Sequence, residues 1–156
     1  MKLAEALINR ADLQRRVEQL RARITANARY QEGEEPAEAA SELLVEVTRI
    51  LDGLEQLIVA INLTNAQTRL DDGRTMTEAL AQRDLLRTRH SILVAAADAS
   101  AGVGDFGGYR QLRSELRQVS ALPTARIRAE ADDVARRLRE LDVLVQRANW
   151  EADLAD

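Results

Sequence analysis

Hydrophobic residues recur every three or four positions along four stretches of the chain, which is the period of one face of an α-helix. The clearest stripe lies near the C-terminus and consists of Ile127, Ala131, Val134, Leu138, Leu141, Val145 and Ala148. Comparable stripes predict helices over about 3–28, 36–70, 75–100 and 124–152. The sequence therefore predicts an all-α fold of four long antiparallel helices packed as a coiled-coil-like bundle.

The second predicted helix carries two overlapping apolar stripes. One runs through Val47, Leu51, Leu54, Ile58 and Ile61, and the other through Leu43, Val47, Ile50, Leu54, Leu57 and Ile61. Because each stripe needs a neighbour of its own, we expect this helix to be the most buried element. Gly33 and Pro36 are typical of the turn before it, and Asp71-Asp72-Gly73 is typical of its end.

Residues 101–123 interrupt the helical pattern. They hold four of the seven glycines, and their leucine spacing fits either an alternating strand or one helical turn. Long connections in compact proteins often carry function or contacts between subunits. We therefore expect a Gly-rich excursion between helices three and four, with a β-strand as one of its two open conformations. Its candidate oligomer-forming residues are Gly102, Gly104, Gly107, Gly108, Leu112 and Leu116.

Length and charge add two expectations. At 156 residues the chain suits one helical domain over 1–156, and its core must be aliphatic because aromatic residues make up only 3%. Residues 1–30 carry seven basic and three acidic side chains, whereas residues 31–60 carry one basic and eight acidic ones. This complementarity favours pairing of the first two helices and disfavours nucleic acid as a partner.

Motifs that would name a location or a reaction are scarce. No apolar run is long enough to span a bilayer and no signal-peptide pattern is present, so we expect a cytoplasmic protein without a membrane partner. The chain has no cysteine, a single histidine and no compact catalytic motif, so we predict no catalytic residue, cofactor or metal site. The run from Gly102 to Gly107 matches a dinucleotide-binding fingerprint, but it follows a helix instead of a strand, which favours a flexible loop.

A candidate polar site lies where the stripe of helix two turns polar, because Asn65 and Thr68 continue it and Asn62 lies beside it. Three interpretations stay open: a buried layer that specifies register or oligomer number, a solvated helix end, or a small-ligand or ion site. On helix three, His90 falls on the inward stripe and Arg83 lies two turns earlier. An enzyme or ligand binder would need Asn62, Asn65, Arg83 and His90 to converge. A hydrogen-bonded core histidine is the simpler interpretation of His90.

Several short motifs, taken together, are typical of one protein family. They are Met1 to Asp12, Gln31 to Pro36, Ile61 to Asn65, Leu70 to Thr75, Arg113 to Leu116, and Asn149-Trp150. In these motifs the chain resembles the septicolysin-like proteins, a family of small, uncharacterised bacterial helical proteins. The name of that family implies a membrane-active or pore-forming protein.

The chain has four regular apolar stripes and no compact catalytic motif. This combination favours a cytoplasmic, self-associating protein with a structural or protein-interaction role. A homo-oligomer is the expected assembly, with a homodimer as the default and an unidentified protein as a further partner. Two alternatives stay open, namely the membrane-active protein that the resemblance implies and an enzyme or small-ligand binder that uses Asn62, Asn65, Arg83 and His90.

Overall fold

Four α-helices make up the regular structure of the chain. A computed structural model describes residues 1–103 and 119–155, and its helices are α1 (Leu3–Asn27), α2 (Ala40–Gln67), α3 (Met76–Ser100) and α4 (Thr124–Glu151). Within these residues there is no β-strand, only two isolated bridges, Lys2 with Asp153 and Arg69 with Thr75. The prediction of an all-α fold is confirmed.

The second helix is shorter than predicted at both ends. It begins at Ala40, after Ala39 in an extended conformation with φ −75° and ψ 102°, and not at Pro36. Its C-cap, Thr68, is also extended, with ψ 129°, so the helix ends before Leu70. The turn signals at Pro36 and Asp71-Asp72-Gly73 misplaced the two ends. The amide of Glu38 donates to the side chain of Asn27, and residues 68–76 bond to one another, so both flanks form hydrogen bonds outside the helix.

A tight hairpin follows α2. The amide of Leu70 donates to the carbonyl of Arg74 over 2.8 Å, and the amide of Met76 donates to the carbonyl of Thr68 over 2.8 Å. Gly73 closes the turn with φ 87°, in the left-handed region that glycine adopts without steric cost. The Asp71-Asp72-Gly73 motif is thus a hairpin turn that lies beyond the end of the helix.

The chain forms two compact units. The first comprises Met1–Met76 and Arg147–Asp156, and the second comprises Thr77–Gln146. In the first unit α1 and α2 run in opposite directions, because Arg16 pairs with Glu46 over 2.6 Å while the later Arg23 pairs with the earlier Glu38.

In the first unit, the α2 stripe that begins at Leu43 is buried or half-buried at every position up to Ile61. Leu43, Leu54 and Ile61 of that stripe are buried. Leu51, which belongs only to the other stripe, is 45% exposed, so the expectation that both stripes are covered is wrong at this residue. On α1 the most deeply buried side chains are Leu3, Ala6 and Leu20.

In the second unit α3 and α4 also run in opposite directions. Arg89 pairs with Glu130 over 2.7 Å, and the Ser100 hydroxyl lies 2.6 Å from that of Thr124. The predicted stripe of α4 is buried or half-buried at every position, from Ile127 to Ala148. The coiled-coil-like bundle and the single domain over 1–156 stay predictions, and most of the Gly-rich excursion, residues 104–118, lies outside the described residues.

Candidate interaction surface

An aliphatic row lies on the solvent side of α2. The row consists of Leu44, Leu51, Val59 and Leu63 on one side of the helix, with Val45 beside them. These five side chains are 45% to 62% exposed. Scattered exposed leucines are ordinary on a protein surface, whereas several exposed aliphatic side chains on one side of a helix are a candidate contact surface. We call this surface, together with the acidic residues among it, the outer face of α2.

The outer face of α2 carries charges of both signs with the acids in excess, since Arg49 lines the same groove as Leu44, Val45 and Asp52. Asp52 and Glu55 lie in the middle of the row, and Glu42 lies at its N-terminal edge. None of these three carboxylates forms an ion pair with any described residue, whereas nearby Glu46 is paired with Arg16. A surface groove lined by Asp52, Glu55, Val59 and Leu63 combines both properties, apolar contact area and acidic side chains.

A second surface, on α4, also carries charges of both signs. Six residues share one face of this helix, which we call the outer face of α4: Arg128, Asp132, Arg136, Arg139, Val143 and Trp150. Val143 is 67% exposed and Trp150 is 58% exposed. Arg128 and Arg139 make no ion pair or hydrogen bond with a described residue.

Arg136 is already neutralised on its own helix. It binds the carboxylate of Asp133 and lies 3.4 Å from that of Glu140. The hydrogen bond to Asp133 raises the pKa of Arg136 and, reciprocally, lowers the pKa of that carboxyl below its usual range. Free cationic groups on this face are therefore Arg128 and Arg139.

The two chain termini of the first unit are joined by a clasp made of residues 1–3 and 151–155. The amide of Leu3 donates to the carbonyl of Ala152 over 3.0 Å, and the amide of Leu154 donates to the carbonyl of Met1 over 2.9 Å. Lys2, the only lysine of the chain, donates to the carbonyl of Glu151 over 3.0 Å and pairs with Asp153 over 2.8 Å. This ammonium therefore lies at the negative end of the α4 dipole, where a cation is favourable.

The predicted polar layer on α2 is only partly buried. Asn62 is exposed, Asn65 is half-buried, and Thr68 is the C-cap, whose amide donates to the carbonyl of Thr64 over 2.8 Å. These positions lie in the first unit. Whether the layer specifies an oligomer or binds a ligand stays a prediction.

The buried polar residue of this region is Thr64, which the sequence analysis missed. Thr64 is 3% exposed, and its hydroxyl donates to the carbonyl of Ala60 over 2.8 Å and accepts from the amide of Ala155 over 2.9 Å. The apolar stripe of α2 could have predicted that Thr64 is buried, because Thr64 lies three residues after Ile61 on the same side of the helix. Its partner, the C-terminal segment, had no pattern that pointed to it.

Arg83 and His90 lie on α3 in the second unit. The Arg83 side chain is 21% exposed and lies 3.9 Å from the Asp142 carboxylate, and its buried Nε has no hydrogen-bond partner within the described residues. His90 is half-buried and makes no hydrogen bond or ion pair with a described residue. The hydrogen-bonded core histidine that we expected is therefore not seen.

The candidate oligomer segment is described only at its start. Gly102 lies in a turn after α3, with φ 75°. The other five residues lie outside the described residues: Gly104, Gly107, Gly108, Leu112 and Leu116. The described residues also contain no group of three or more His, Asp or Glu side chains that could hold a metal ion, and none of their helices is long and apolar enough to cross a membrane.

Comparison with known proteins gives one structural and one family match. A crystal structure of a functionally unknown conserved protein from Corynebacterium diphtheriae is similar to this chain, with 36% identity and a TM-score of 0.90 over 99% of this chain and 98% of that one. The model of a family of unknown function, DUF6847, matches residues 10–154. No curated protein matches the chain.

These matches correct the resemblance to septicolysin-like proteins, which is wrong. The matching family is a different one, and the similar crystal structure is of a functionally unknown protein. Most of the motifs behind the resemblance lie in helices or turns, so they report local structure that unrelated helical proteins share. The membrane-active alternative rested on that resemblance and loses its basis.

Proposed function

The chain belongs to the family of unknown function DUF6847, and from its surface we propose that it is an interaction protein that self-associates through the outer face of α2. The observation that carries this proposal is the exposed aliphatic row from Leu44 to Leu63. An interaction role does not require catalytic side chains to lie close together. It also explains why aliphatic side chains on α2 are exposed, since contact with a partner would cover them.

The energetic argument rests on the size of the exposed side chains. Burying half of a leucine or valine side chain contributes about 1 kcal/mol, and five neighbouring side chains contribute several times that amount. Association also costs translational and rotational freedom, about 4 to 15 kcal/mol, so the row alone supports a weak complex and needs complementary contacts around it. We therefore expect a weak association that depends on protein concentration.

The test is the solution mass of the purified chain by light scattering across a concentration range. We expect a discrete oligomer whose population falls on dilution. In a variant with Leu51→Glu and Leu63→Glu we expect only monomer, because two charges would be buried at the contact. Leu85→Glu is the matched control, since Leu85 is 71% exposed on α3 and its replacement should leave the oligomer intact.

A strictly monomeric wild-type chain at all concentrations would contradict the proposal. So would loss of the oligomer in the Leu85→Glu control, because the effect would then follow from added charge and not from its position. Circular dichroism of each variant establishes that the helices remain folded, so that a change in mass reports on association.

A further inference from the structure

The hairpin between α2 and α3 contains an Asp-Gly sequence, Asp72-Gly73, and the chain has a second one at Asp52-Gly53. Aspartate followed by glycine favours isoaspartate formation, because glycine has no Cβ to hinder the attack of its amide nitrogen on the aspartate side chain. We propose that Asp72-Gly73 is a site of spontaneous aspartate isomerisation and that Arg74 sets the rate of this reaction.

The reaction passes through a cyclic imide. The amide nitrogen of Gly73 attacks Cγ of Asp72, so that a C–N bond forms while a C–O bond of the carboxyl group breaks. The departing oxygen leaves as water, which carries the proton of the neutral carboxyl group and the amide proton. Water then opens the imide at either carbonyl, which restores aspartate or gives isoaspartate, whose main chain runs through the side-chain carbonyl. Water is therefore the only co-reactant.

The hairpin leaves both reacting groups open to water. Asp72 and Gly73 are exposed, and a Cβ placed on Gly73 would meet no atom within 4 Å. The attacking amide is restrained by a hydrogen bond of 2.9 Å to the carbonyl of Leu70. Opening of this hydrogen bond in a surface turn frees the amide nitrogen for the attack, and it does not require a helix to unfold.

Asp52-Gly53 has the same residue types in a different backbone. Both residues lie within α2, where interior amides donate to carbonyls four residues earlier. Forming the imide there requires the helix to open around the site, which breaks hydrogen bonds that form cooperatively. We therefore expect isomerisation at residue 72 and not at residue 52, although Asp52 is exposed and makes no ion pair with a described residue.

Arg74 holds both oxygens of the Asp72 carboxylate. Oδ1 accepts a hydrogen bond from the Arg74 amide over 3.1 Å, and Oδ2 accepts from Nε of the Arg74 side chain over 3.0 Å and from its Nη2. The side-chain hydrogen bond, followed by the backbone one, lowers the pKa of Asp72 below its ordinary value. The neutral carboxyl group, from which water leaves, is then rarer than in an unpaired aspartate at the same pH. Arg74 thus slows the reaction by keeping the departing oxygen ionised.

Isoaspartate at residue 72 would lengthen the main chain of the hairpin by an extra carbon atom. Two hydrogen bonds span this position, from the amide of Leu70 to the carbonyl of Arg74 and from the amide of Met76 to the carbonyl of Thr68. The added atom shifts the register of both. The modification therefore alters the segment that connects the end of α2 to the start of α3.

Ageing of the purified protein tests the proposal. Wild type and Arg74→Gln are incubated in mildly acidic buffer, and peptide mapping by mass spectrometry, with fragmentation that distinguishes isoaspartate from aspartate, follows conversion at residues 52 and 72. We expect Arg74→Gln to accelerate conversion at residue 72 by about threefold or more, because the pKa of Asp72 returns towards its ordinary value. Conversion at residue 52 should be the same in both proteins and slower than at residue 72 of the variant.

Two controls separate the carboxylate contact from other effects of the substitution. Arg69→Gln is the matched variant, because Arg69 lies in the same hairpin but donates to the carbonyl of Gly73, over 2.9 Å, and not to Asp72. It should convert at nearly the wild-type rate. Synthetic peptides of residues 68–76, with arginine or glutamine at position 74, should convert at similar rates, since the folded contact is missing from both.

Three outcomes would overturn the proposal. Equal acceleration in Arg69→Gln and Arg74→Gln would mean that a loosened hairpin, and not the contact with Asp72, controls the rate. A difference between the two peptides as large as that between the two proteins would mean that the effect needs no fold. Isoaspartate that is absent at residue 72 of both proteins, or more abundant at residue 52, would overturn the site itself.

Discussion

Thr64 and Ala155 lie 91 residues apart in the chain, and the amide of Ala155 donates a hydrogen bond of 2.9 Å to the buried Thr64 hydroxyl. The same hydroxyl donates to the carbonyl of Ala60, so both of its hydrogen-bonding functions are used inside the protein. This contact ties the C-terminal segment to the end of α2, and it gives the first of four predictions.

Replacing Thr64 with valine should destabilise the protein by about 1 kcal/mol, because the new side chain has the same shape but leaves the Ala155 amide without its acceptor. Thr64→Ser is the matched control, since it keeps the hydroxyl and should retain the hydrogen bond. Urea denaturation measures the change, and amide hydrogen exchange at Ala155 should accelerate in the valine variant only. Unchanged exchange at Ala155 would show that this hydrogen bond does not hold the segment.

Lys2 and Asp153 should make the terminal clasp sensitive to acid. The hydrogen bond from the Lys2 ammonium, followed by its charge, lowers the pKa of Asp153 below the ordinary value of about 3.9. The folded state therefore holds this proton more weakly than the unfolded state, so the stabilisation is present above about pH 4 and is lost as the pH falls through the lowered pKa.

The measurement is an NMR titration of the Asp153 carboxyl, with Lys2→Gln as the variant. We expect the pKa of Asp153 to rise towards its ordinary value in that variant. Glu34→Gln is a control that changes a charge outside any ion pair among the described residues and should leave the titration as it is. An equally low pKa of Asp153 in the Lys2 variant would contradict the pairing.

Gly73 and Gly53 should respond oppositely to alanine. Gly73 has φ 87°, where a Cβ is strained, so Gly73→Ala should lower the free energy of unfolding by about 1 kcal/mol. Gly53 lies within α2, and a Cβ there would meet no atom within 4 Å, so Gly53→Ala should raise that free energy by about 0.5 to 1 kcal/mol. Thermal denaturation of both variants measures the two shifts, and shifts of the same sign would contradict this account.

Two isoleucines provide a matched test of the core. Ile61 is 1% exposed and Ile8 is 54% exposed. Ile61→Ala should destabilise the protein by about 2 to 5 kcal/mol, because it removes buried methyl groups and leaves a cavity. Ile8→Ala should change stability by less than about 1 kcal/mol, and urea denaturation compares the two. Similar losses from both variants would mean that Ile61 is not part of a packed core.

Much of the fold is predictable from local spacing. The 3.6-residue period within each segment predicts that all four helices exist, and the ends of three of them are predicted to within one residue. The same period predicts the buried stripe from Ile127 to Ala148. Burial of Leu43, Leu54 and Ile61 follows from the same period. The ends of α2 do not, because the chain leaves the helix to form hydrogen bonds that its apolar spacing does not encode.

The candidate surface is less predictable. Leu51 and Leu54 have the same residue type and lie in the same predicted stripe, yet Leu51 is exposed and Leu54 is buried. The sequence pattern indicates that a face is apolar, but it does not indicate how many neighbours are available to cover it. Asn62 illustrates the same limit, since it lies beside the stripe in the sequence and is exposed in the structure.

The sequence by itself determined which segments are helical and which side of each helix favours burial, because both depend on interactions within a few residues. Only the tertiary structure decided that Thr64 binds Ala155, that Lys2 meets Asp153, and that Leu51 of α2 is left in solvent. These contacts join residues 91 and 151 positions apart in the chain. No local period encodes such a separation, since it depends on how the packed helices bring distant segments together.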